Sequence, residues 1–416
     1  MGTVYEKYIF EDGSTFDVPA DKETYRTKLL ETFPADHIAI NRYFELIRKA
    51  SDQGTLVFAK RALPKAIGAL IPKRLYSFWD RTTSSVLDEI TKNEKLKRVL
   101  TGQWGYSASP PSESSFGIHS GIVSHYFKGG FYPVGSAESF ADKLISNFKK
   151  HGGEFALRTE VKNILIENGD AQGIEMATGK TIRATRVISS IGAKKTLELL
   201  PKNTNNIKWQ KRINELKDSP AYFCLYIGYE CEDVEALGLS RANHWFFEDT
   251  LDTTWSDVSQ APPVMYLSFP SLKDPQHTGS HHTAELVTFT DYSLFEKWKE
   301  TRRGKRTPDY MEFKKTFEAE LLAIFKKRFP MLADKITLAE LATPLSMEFF
   351  TKSHHGAIYG LASTVDRYLT KDLHAKTPIK GLYLTGQDVL TPGVVGAMSA
   401  GLLTAAAIDA RVFRYL

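Results

Sequence analysis

The spacing of apolar and polar residues divides the chain into segments of different secondary structure. Residues 5–20 alternate apolar and polar positions on either side of Asp12-Gly13, which predicts a β-hairpin. Residues 21–105 have mainly helical patterning, and Asp21 is placed to cap the first helix. We therefore expect a hairpin followed by several helices at the start of the chain.

A β-rich stretch follows a glycine-rich segment in the middle of the chain. Residues 129–135 lead into a predicted helix that Ser136 or Ser139 can cap and that His151-Gly-Gly153 ends. The pattern then alternates with turn residues between short apolar runs, which predicts strands. The predicted strands are 154–157, 161–167, 173–177 and 181–191.

The second half of the chain combines strands with one long amphipathic helix. Strand patterning recurs between residues 220 and 293, and a helix is predicted from Pro308 to Phe329 because its apolar residues form one stripe. A last strand region is predicted for 337–350. The strands expected between 220 and 293 are 221–229, 264–269 and 286–290.

The C-terminal block has the most informative pattern. An apolar strand, Leu382–Leu384, runs into Gly386 and Asp388, then a turn at 391–396 and a helix of small residues. Glycines let the backbone approach a ligand closely, and the amides at a helix start attract negative charge, so this order suits a bound dinucleotide. The usual partner motif is a Gly-x-Gly-x-x-Gly turn. No two glycines of this sequence are spaced as Gly-x-Gly, so only half of such a site is predicted.

Composition and charge narrow the class of protein. The 416 residues, 42% hydrophobic and 25% charged, are typical of a globular protein with two or three domains. A net charge of +5 spread along the chain gives no support for a nucleic-acid partner. Cys224 and Cys231 are predicted to be free thiols in a reducing, cytoplasmic compartment. The uncharged run 389–408 is interrupted by Pro392 and Gly393, which favours a buried helix over a membrane span.

The chain resembles the phytoene desaturase, carotenoid isomerase and retinol saturase family of FAD-dependent oxidoreductases, and is closest to its retinol saturase subgroup. The resemblance covers nearly the whole chain. It is carried by four segments in the same order as in the family: His125–Pro133, Val187–Gly192, Thr343–Leu345 with Gly356–Gly360, and Leu382–Asp388.

The resemblance implies a fold and a division into domains. The fold class expected is α/β: a glutathione-reductase-like FAD-binding domain that is incomplete, because its N-terminal βαβ unit is missing, and a mixed-sheet α+β substrate-binding domain. The FAD-binding domain would comprise 129–205 and 351–416, and the substrate-binding domain 1–128 and 206–350. The sequence leaves open whether the βαβ unit has been truncated or lost, and truncation is favoured because the remaining motifs are intact.

The resemblance also implies which residues contact FAD. Asp388 would lie at the ribityl and phosphate region, or cap the next helix, or do both. Gly393 and Gly396 would let the backbone approach the isoalloxazine ring, and Val394 and Val395 would pack against its edge. The backbone of Val161 would contact the adenine. The other implied contacts are Gly386, Gln387, Ser189 and Gly192.

Catalytic residues are not defined by the sequence. Flavin redox chemistry needs orientation of the substrate and a path for a proton, so His125 and Lys128, which lead into the flavin domain, are weak candidates for the proton step. His354-His355 and His281-His282 resemble metal pairs. Adjacent positions of a strand point to opposite faces, however, and no Cys or acid cluster completes a ligand set, so no metal is expected.

A basic and apolar segment, residues 60–81, suggests membrane contact. Apolar residues, with Phe78 and Trp79 at the end, could form one face, and Arg61 is among the nearby basic residues. Pro64 and Pro72 would break such a helix, so two core helices with basic exposed sides are the alternative. Peripheral association with the inner face of a membrane stays open. The remaining apolar members are Leu63, Ile67, Leu70, Ile71 and Leu75, and the remaining basic ones are Lys60, Lys65, Lys73, Arg74 and Arg81.

The function implied is FAD-dependent desaturation, saturation or isomerisation of the conjugated C=C bonds of a carotenoid- or retinoid-like isoprenoid. The hydrophobic polyene would be the main partner. Two alternatives remain: a flavoenzyme of the amine-oxidase class, and a prenyl-lipid carrier of the same fold that needs no flavin. Because the Gly-x-Gly-x-x-Gly turn is missing, the chain is also expected to bind FAD weakly or not at all, as an inactive fragment would.

Overall fold

Contacts between residues divide the protein into two units in the computed structural model, which describes residues 2–62, 68, 70–250 and 253–415. Unit 1 comprises the described parts of Met1–Pro34, His125–Phe155 and Pro220–Thr351, and unit 2 those of Ala35–Ser124, Ala156–Ser219 and Lys352–Leu416. Residues 35–124 thus group with the C-terminal motif, and not with the hairpin as the predicted domain bounds had them. Which unit binds cofactor and which binds substrate stays a prediction.

Strands and helices alternate irregularly along the chain. The strands are β1 (Val4–Phe10), β2 (Thr15–Pro19), β3 (Val161–Glu167), β4 (Asp170–Met176), β5 (Thr181–Arg183), β6 (Val187–Ser189), β7 (Ala221–Glu230), β8 (Asn243–Phe247), β9 (Val264–Ser268), β10 (His281–Thr290), β11 (Ile336–Ala342) and β12 (Leu382–Leu384). The helices are α1 (Lys22–Thr32), α2 (His37–Ala62), α3 (Thr83–Ile90), α4 (Glu94–Thr101), α5 (Phe116–His125), α6 (Glu138–Lys150), α7 (Ala193–Glu198), α8 (Ile207–Asn214), α9 (Pro270–Lys273), α10 (Pro308–Arg328), α11 (Pro344–Thr351), α12 (Val365–Leu369) and α13 (Gly393–Ile408).

Unit 1 is built on a seven-stranded mixed sheet in the order β11-β7-β10-β9-β8-β1-β2. The predicted hairpin is present as β1 and β2, and the turn places Gly13 at a φ of 77°. β1 pairs with β8 in parallel, whereas its other neighbour β2 and the remaining pairs are antiparallel. The expectation of a mixed sheet is therefore confirmed.

The core of unit 1 forms between this sheet and the long helix α10. The amphipathic stripe predicted for this helix is present: Phe317, Leu321 and Phe325 are buried. Phe317 stacks on Phe223 of β7, with ring centroids 4.8 Å apart. Alternate residues of β7 face the same core because side chains of a strand alternate between faces.

Unit 2 contains two small sheets and most of the helices. β6 and β12 form a parallel pair, and β3, β4 and β5 form an antiparallel meander. The amide of Ala171 in β4 donates to the carbonyl of Lys380 over 2.8 Å, which links the meander to the segment just before β12. The C-terminal motif is thus joined directly to the β-layer that precedes it in sequence.

Several predicted elements differ in the structure. Residues 154–157 form no strand, and Leu157 is exposed there. The strand predicted for 181–191 is two short strands, β5 and β6. The strand predicted for 337–350 ends at Ala342, because Pro344 starts the helix α11, a position that suits proline. Neither predicted serine caps α6 in the expected way: its N-cap is Ala137.

The histidine pair at 354–355 also differs from expectation. It lies in a 3₁₀ turn and not in a strand, and His355 has the left-handed values φ 52° and ψ 34°. The argument from strand alternation is therefore wrong for this pair. It holds for the other pair, since His281 is exposed and His282 is buried within β10.

Candidate functional site

Two of the motif segments that the sequence singled out meet at the carboxyl ends of the parallel pair in unit 2. Tyr383 of β12 lies opposite Ile188 of β6, and the amide of Thr385 donates to the carbonyl of Ser189 over 2.9 Å. Each strand then turns at a glycine, Gly192 after β6 and Gly386 after β12. Carboxyl ends of parallel strands are where α/β sheets bind ligands.

Asp388 connects three segments through its carboxylate. It is 4% exposed, and it accepts hydrogen bonds from the amide of Ala193 over 2.8 Å and from the amide of Leu361 over 3.0 Å. Each of these amides directly follows a glycine with positive φ, Gly192 at 98° and Gly360 at 65°. The carboxylate therefore caps α7. Of the two roles considered from sequence, capping is seen, but for α7 and not for the following helix α13.

The glycine before Leu361 is required by this arrangement. A Cβ atom on Gly360 would lie 2.5 Å from Oδ1 of Asp388, and its φ of 65° disfavours any residue with a side chain. At Gly192 the corresponding distance to Oδ2 is 3.2 Å, with a φ of 98°. Both glycines thus make room for one buried carboxylate.

Two buried arginines hold the backbone of the same region. Arg367 is 0% exposed and donates to the carbonyls of Leu361 and Gln387. Arg61, 4% exposed, donates to the carbonyl of Val389 over 2.7 Å and to that of Arg367 over 2.6 Å. Burial, and next the charge of Arg367, lower the pKa of Arg61 to about 10, against an opposing attraction to Asp388, so it stays protonated at neutral pH.

Sequence reasoning did not identify either arginine. Arg367 lies on a short helix with no motif around it, and Arg61 lay among basic residues that suggested a lipid-facing surface. A lone arginine in a helical pattern gives no sign of whether it faces solvent or carbonyl groups. Their burial follows from tertiary packing alone.

The start of α13 presents backbone and apolar side chains to the surface. Gly393 begins the helix with a φ of 86°, and no described atom lies within 4 Å of where its Cβ would be. Among the described residues, no side chain caps the helix start at Pro392. Val394 and Val395 are exposed. Gly396 is different, because a Cβ there would overlap the carbonyl of Thr391, so its glycine is needed for packing within the chain.

The remaining flavin candidates also lie in unit 2. The hydroxyl of Ser189 is 2.7 Å from that of Thr196, at the base of α7. Val161 is the half-buried first residue of β3, where it lies opposite Met176. Gln387 receives the contact from Arg367 described above. None of these positions is tested by a ligand, so their roles stay predictions.

The two weak catalytic candidates are in unit 1. His125 ends α5 and Lys128 lies in the following 3₁₀ turn, and both side chains are exposed. The structure therefore does not place them in the same unit as Asp388. His119, earlier in α5, is buried in unit 2, where its Nε2 is 3.0 Å from the hydroxyl of Tyr43.

The residues at the start of α13 fit one end of a flavin dinucleotide. Uncapped amides at the start of α13, the open space at Gly393 and the exposed valines after it suit a flat ring with hydrogen-bond acceptors along its edge. The dinucleotide's phosphates normally lie on a Gly-x-Gly-x-x-Gly turn, which this sequence does not contain. That these residues contact the ring end of FAD stays a prediction.

Comparison with known proteins identifies the family. The model of the flavin containing amine oxidoreductase family matches residues 8–409. This chain belongs to that family. Its class is therefore that of FAD-dependent oxidoreductases, and the predictions of enzyme class and of FAD as cofactor are confirmed.

Individual relatives extend this result. The chain is 30% identical to an all-trans-retinol 13,14-reductase of Danio rerio over 421 residues, which cover 94% of this chain and 69% of the relative. It is 26% identical to a chloroplastic prolycopene isomerase of Daucus carota over 289 residues, 68% of this chain and 45% of the relative. The predicted resemblance to retinol saturases and carotenoid isomerases is thus confirmed.

A solved structure supports the fold. Putrescine oxidase matches with a TM-score of 0.60 at 14% sequence identity, over 98% of this chain and 82% of that chain. At this identity the likeness concerns the fold alone. The fold is therefore of the FAD-dependent amine-oxidase type, with mixed α/β content and a mixed sheet.

Some residues of the predicted membrane-facing segment are buried and others are exposed, and membrane contact itself stays a prediction. Trp79 and Arg61 are buried, so they cannot belong to a lipid-facing surface, whereas Leu70 and Leu75 are exposed. Leu63, Pro64, Lys65 and Ile67 lie outside the described residues. Among the helices that the structure describes, none has the length and apolar character needed to cross a bilayer.

Proposed function

We propose that the protein uses FAD to add, remove or rearrange hydrogen across the conjugated C=C bonds of a retinoid- or carotenoid-like isoprenoid. The observation that carries this proposal is the 30% identity to an all-trans-retinol 13,14-reductase over 94% of the chain. The similarity to prolycopene isomerase points to the same class of polyene substrate. Both relatives bear names that describe changes at C=C bonds, and neither name describes oxidation of amines.

We assign the flavin to unit 2 and the polyene to the mixed sheet of unit 1. When bound, FAD supplies hydride transfer at its ring. The start of α13 would hold that ring, with Val394 and Val395 excluding water from its edge. Asp388 and Arg367 would act as positioning residues, because they fix the turns on which the ring rests. His125 and Lys128 remain candidates for the proton step.

We further propose that the flavin domain is incomplete in this chain. A parallel pair of only two strands is unusual, because parallel sheets normally have both faces covered. The side chain of Ile188 in β6 is 52% exposed, and Ile191 just beyond it is also exposed. A strand, Gly-x-Gly-x-x-Gly turn and helix would cover such a face and supply the phosphate contacts.

A second uncovered apolar face lies in unit 1. None of the thirteen residues of α6, all of which the structure describes, is buried. Its apolar side chains Phe140, Leu144 and Phe148 recur at helical spacing and are exposed. Amphipathic helices normally bury such a stripe. The stripe on α6 is therefore a second apolar face that is exposed among the described residues.

Visible absorption of the purified chain tests these proposals. We expect little bound FAD in the chain as it stands, and a stoichiometric flavin spectrum once a strand–Gly-x-Gly-x-x-Gly–helix unit from a relative is fused before it. A tightly bound, stoichiometric flavin in the unfused chain would refute the proposal of an incomplete domain. No flavin in either form, together with saturable binding of an isoprenoid, would favour a prenyl-lipid carrier.

The substrate class is tested with the flavin-loaded fusion. Under anaerobic conditions we expect reduced flavin to be reoxidised by all-trans-retinol, with loss of polyene absorbance, or a shifted polyene spectrum if the reaction is isomerisation. Oxidised flavin is tested in parallel with a more saturated polyene and with putrescine. Reduction of the flavin by putrescine, and no reaction with any polyene, would assign the protein to amine oxidation instead.

We also propose peripheral contact with lipid during substrate uptake. The exposed Leu70 and Leu75 lie near basic residues, and a long polyene partitions into lipid. We expect sedimentation with anionic vesicles that decreases when both leucines are replaced by serine. Equal sedimentation of the leucine variant would contradict this proposal.

A further inference from the structure

A cluster of metal-ligating side chains lies in unit 2, outside the flavin candidates. Asp218 lies just before β7, and His354 and His355 lie in the 3₁₀ turn after α11. One ligand atom from each of the three residues lies within 4.8 Å of the others. Two imidazoles and a carboxylate are a donor set that suits Zn²⁺ and neighbouring transition metals.

The backbone at His355 makes this cluster possible. Adjacent residues of an extended strand would direct the two imidazoles to opposite faces. The left-handed conformation of His355 instead brings the rings together, with centroids 3.8 Å apart. Both rings then face the same carboxylate. Residues with such conformations are concentrated at ligand sites.

Two of the separations between ligand atoms are close to those of tetrahedral coordination. Nδ1 of His354 lies 2.9 Å from Oδ2 of Asp218, and Nδ1 of His355 lies 3.7 Å from the same oxygen. Zinc–ligand bonds of about 2.0–2.1 Å place tetrahedral ligand atoms about 3.3 Å apart. The two observed separations lie on either side of this value, so a small adjustment would admit the ion.

Neighbouring charged groups are placed as supporting partners of the ligands. Nε2 of His354 lies 3.7 Å from Oε1 of Glu198, and Nζ of Lys194 lies 3.0 Å from Oδ1 of Asp218. A ligating histidine usually donates its other ring N–H to a carboxylate, and ligating carboxylates are themselves hydrogen-bonded. Coordination through Nδ1 puts the proton of His354 on Nε2, which faces Glu198. The positive charge of Lys194 opposes binding of a metal cation. Because Lys194 contacts Oδ1 of Asp218, however, Oδ2 remains available as a ligand.

We propose that Asp218, His354 and His355 bind one Zn²⁺ ion, which joins the segment before β7 to the turn after α11. The two segments already meet nearby, since the amide of Ser219 donates to the carbonyl of Gly360 over 2.8 Å. Gly360 precedes the residue whose amide donates to Asp388. The ion would therefore brace the loop that supports the flavin candidates from outside.

Titration of the metal-free chain with Co²⁺ and Zn²⁺ tests the site without any flavin. We expect one Co²⁺ per chain with visible d–d absorption, displaced by Zn²⁺, and a higher Tm with Zn²⁺ because the ion binds only the folded state. His354→Gln and His355→Gln should each weaken binding by at least about 10–100-fold, and Glu198→Gln by about tenfold. Lys194→Gln should tighten it. The matched control is His281→Gln, an exposed histidine that also has a histidine neighbour, which should change nothing.

The outcomes separate a built site from adventitious binding. Absence of saturable binding at one ion per chain would overturn the proposal, as would binding that persists in the double variant His354→Gln/His355→Gln. If circular dichroism shows that this variant does not fold, Glu198→Gln decides instead. Glu198 is exposed, and its substitution removes the partner of His354 and a contact with Lys195 but no metal ligand. Unchanged Co²⁺ affinity in Glu198→Gln and His281→Gln alike would then count against the site.

Discussion

Replacing Asp388 by asparagine tests the central contact of unit 2. The two side chains have the same shape, but asparagine keeps one oxygen and substitutes an NH₂ group for the other. The carboxylate accepts from Ala193 over 2.8 Å and from Leu361 over 3.0 Å. In either orientation of the substituted amide side chain, its NH₂ group faces one of these backbone amides, so one buried donor loses its acceptor.

The expected cost follows from burial. An unsatisfied buried amide costs about 1–3 kcal/mol, and hydrogen bonds to charged acceptors lie at the upper end of the usual range. Loss of the charge near Arg61 acts in the same direction, since Asp388 attracts that buried guanidinium. We therefore expect Asp388→Asn to lower the free energy of unfolding by about 2–3 kcal/mol.

Urea unfolding followed by tryptophan fluorescence measures this change. At an m-value of about 2–3 kcal/mol/M, the midpoint should fall by about 1 M with the slope unchanged. The matched control is Asp366→Asn in the same unit, where the side chain is exposed and the change should stay within about 0.5 kcal/mol. Equal stability of the two variants would refute the assignment of Asp388 as a shared acceptor.

Three further predictions concern other sites. Burial lowers the pKa of His119 from its ordinary 6.5 to about 4, so protonation of this side chain favours the unfolded state. The contribution of His119 to the free energy of unfolding is therefore fully present above pH 6.5, and this free energy should fall by about 3 kcal/mol as the pH drops to 4. In His119→Gln this part of the pH dependence of urea midpoints should disappear; an unchanged slope would contradict it. Gly360→Ala should lower the free energy of unfolding by about 2–4 kcal/mol, because backbone strain adds to the clash with Asp388. Gly304→Ala should lower it by the backbone strain alone, since Gly304 has a similar φ of 76° and no described atom lies near its Cβ position. Equal unfolding free energies for these two variants would count against the clash. Leu144→Lys on α6 should leave stability within about 0.5 kcal/mol, since the side chain is 55% exposed, and should reduce self-association measured by light scattering. A large loss of stability would show that Leu144 is packed in solution.

The sequence predicted those elements of the fold that depend on residues close together along the chain. The hairpin at Asp12-Gly13, the cap at Asp21 and the stripe of α10 depend on neighbours within a few residues, and the structure contains all three. Strand β8 was missed, because five mostly aromatic residues between loops do not alternate in polarity. Its place in the sheet comes from pairing with β1 and β9 on either side, which are distant in sequence or follow a loop.

Only the residues of the candidate site that belong to a sequence motif could be predicted. The C-terminal glycines and Asp388 were singled out from the sequence, and in the structure Asp388 contacts the amide that follows Gly192. The partners of Asp388 were not, because Ala193 and Leu361 contribute backbone amides, which no residue type reveals. Asp218 is separated from the histidines by more than a hundred residues, so its place beside them also depends on tertiary structure alone.

The carboxylate of Asp388 has a consequence for how the protein is made. One of the two amides that it accepts from, that of Ala193, lies 195 residues earlier in the chain. Because a domain folds as a unit once its segments have emerged during synthesis, unit 2 cannot complete its folding until the ribosome has passed the codon for Asp388. Until then the amides of Ala193 and Leu361 have no contact with this carboxylate. A premature stop codon even shortly before Asp388 would leave both amides without their shared acceptor.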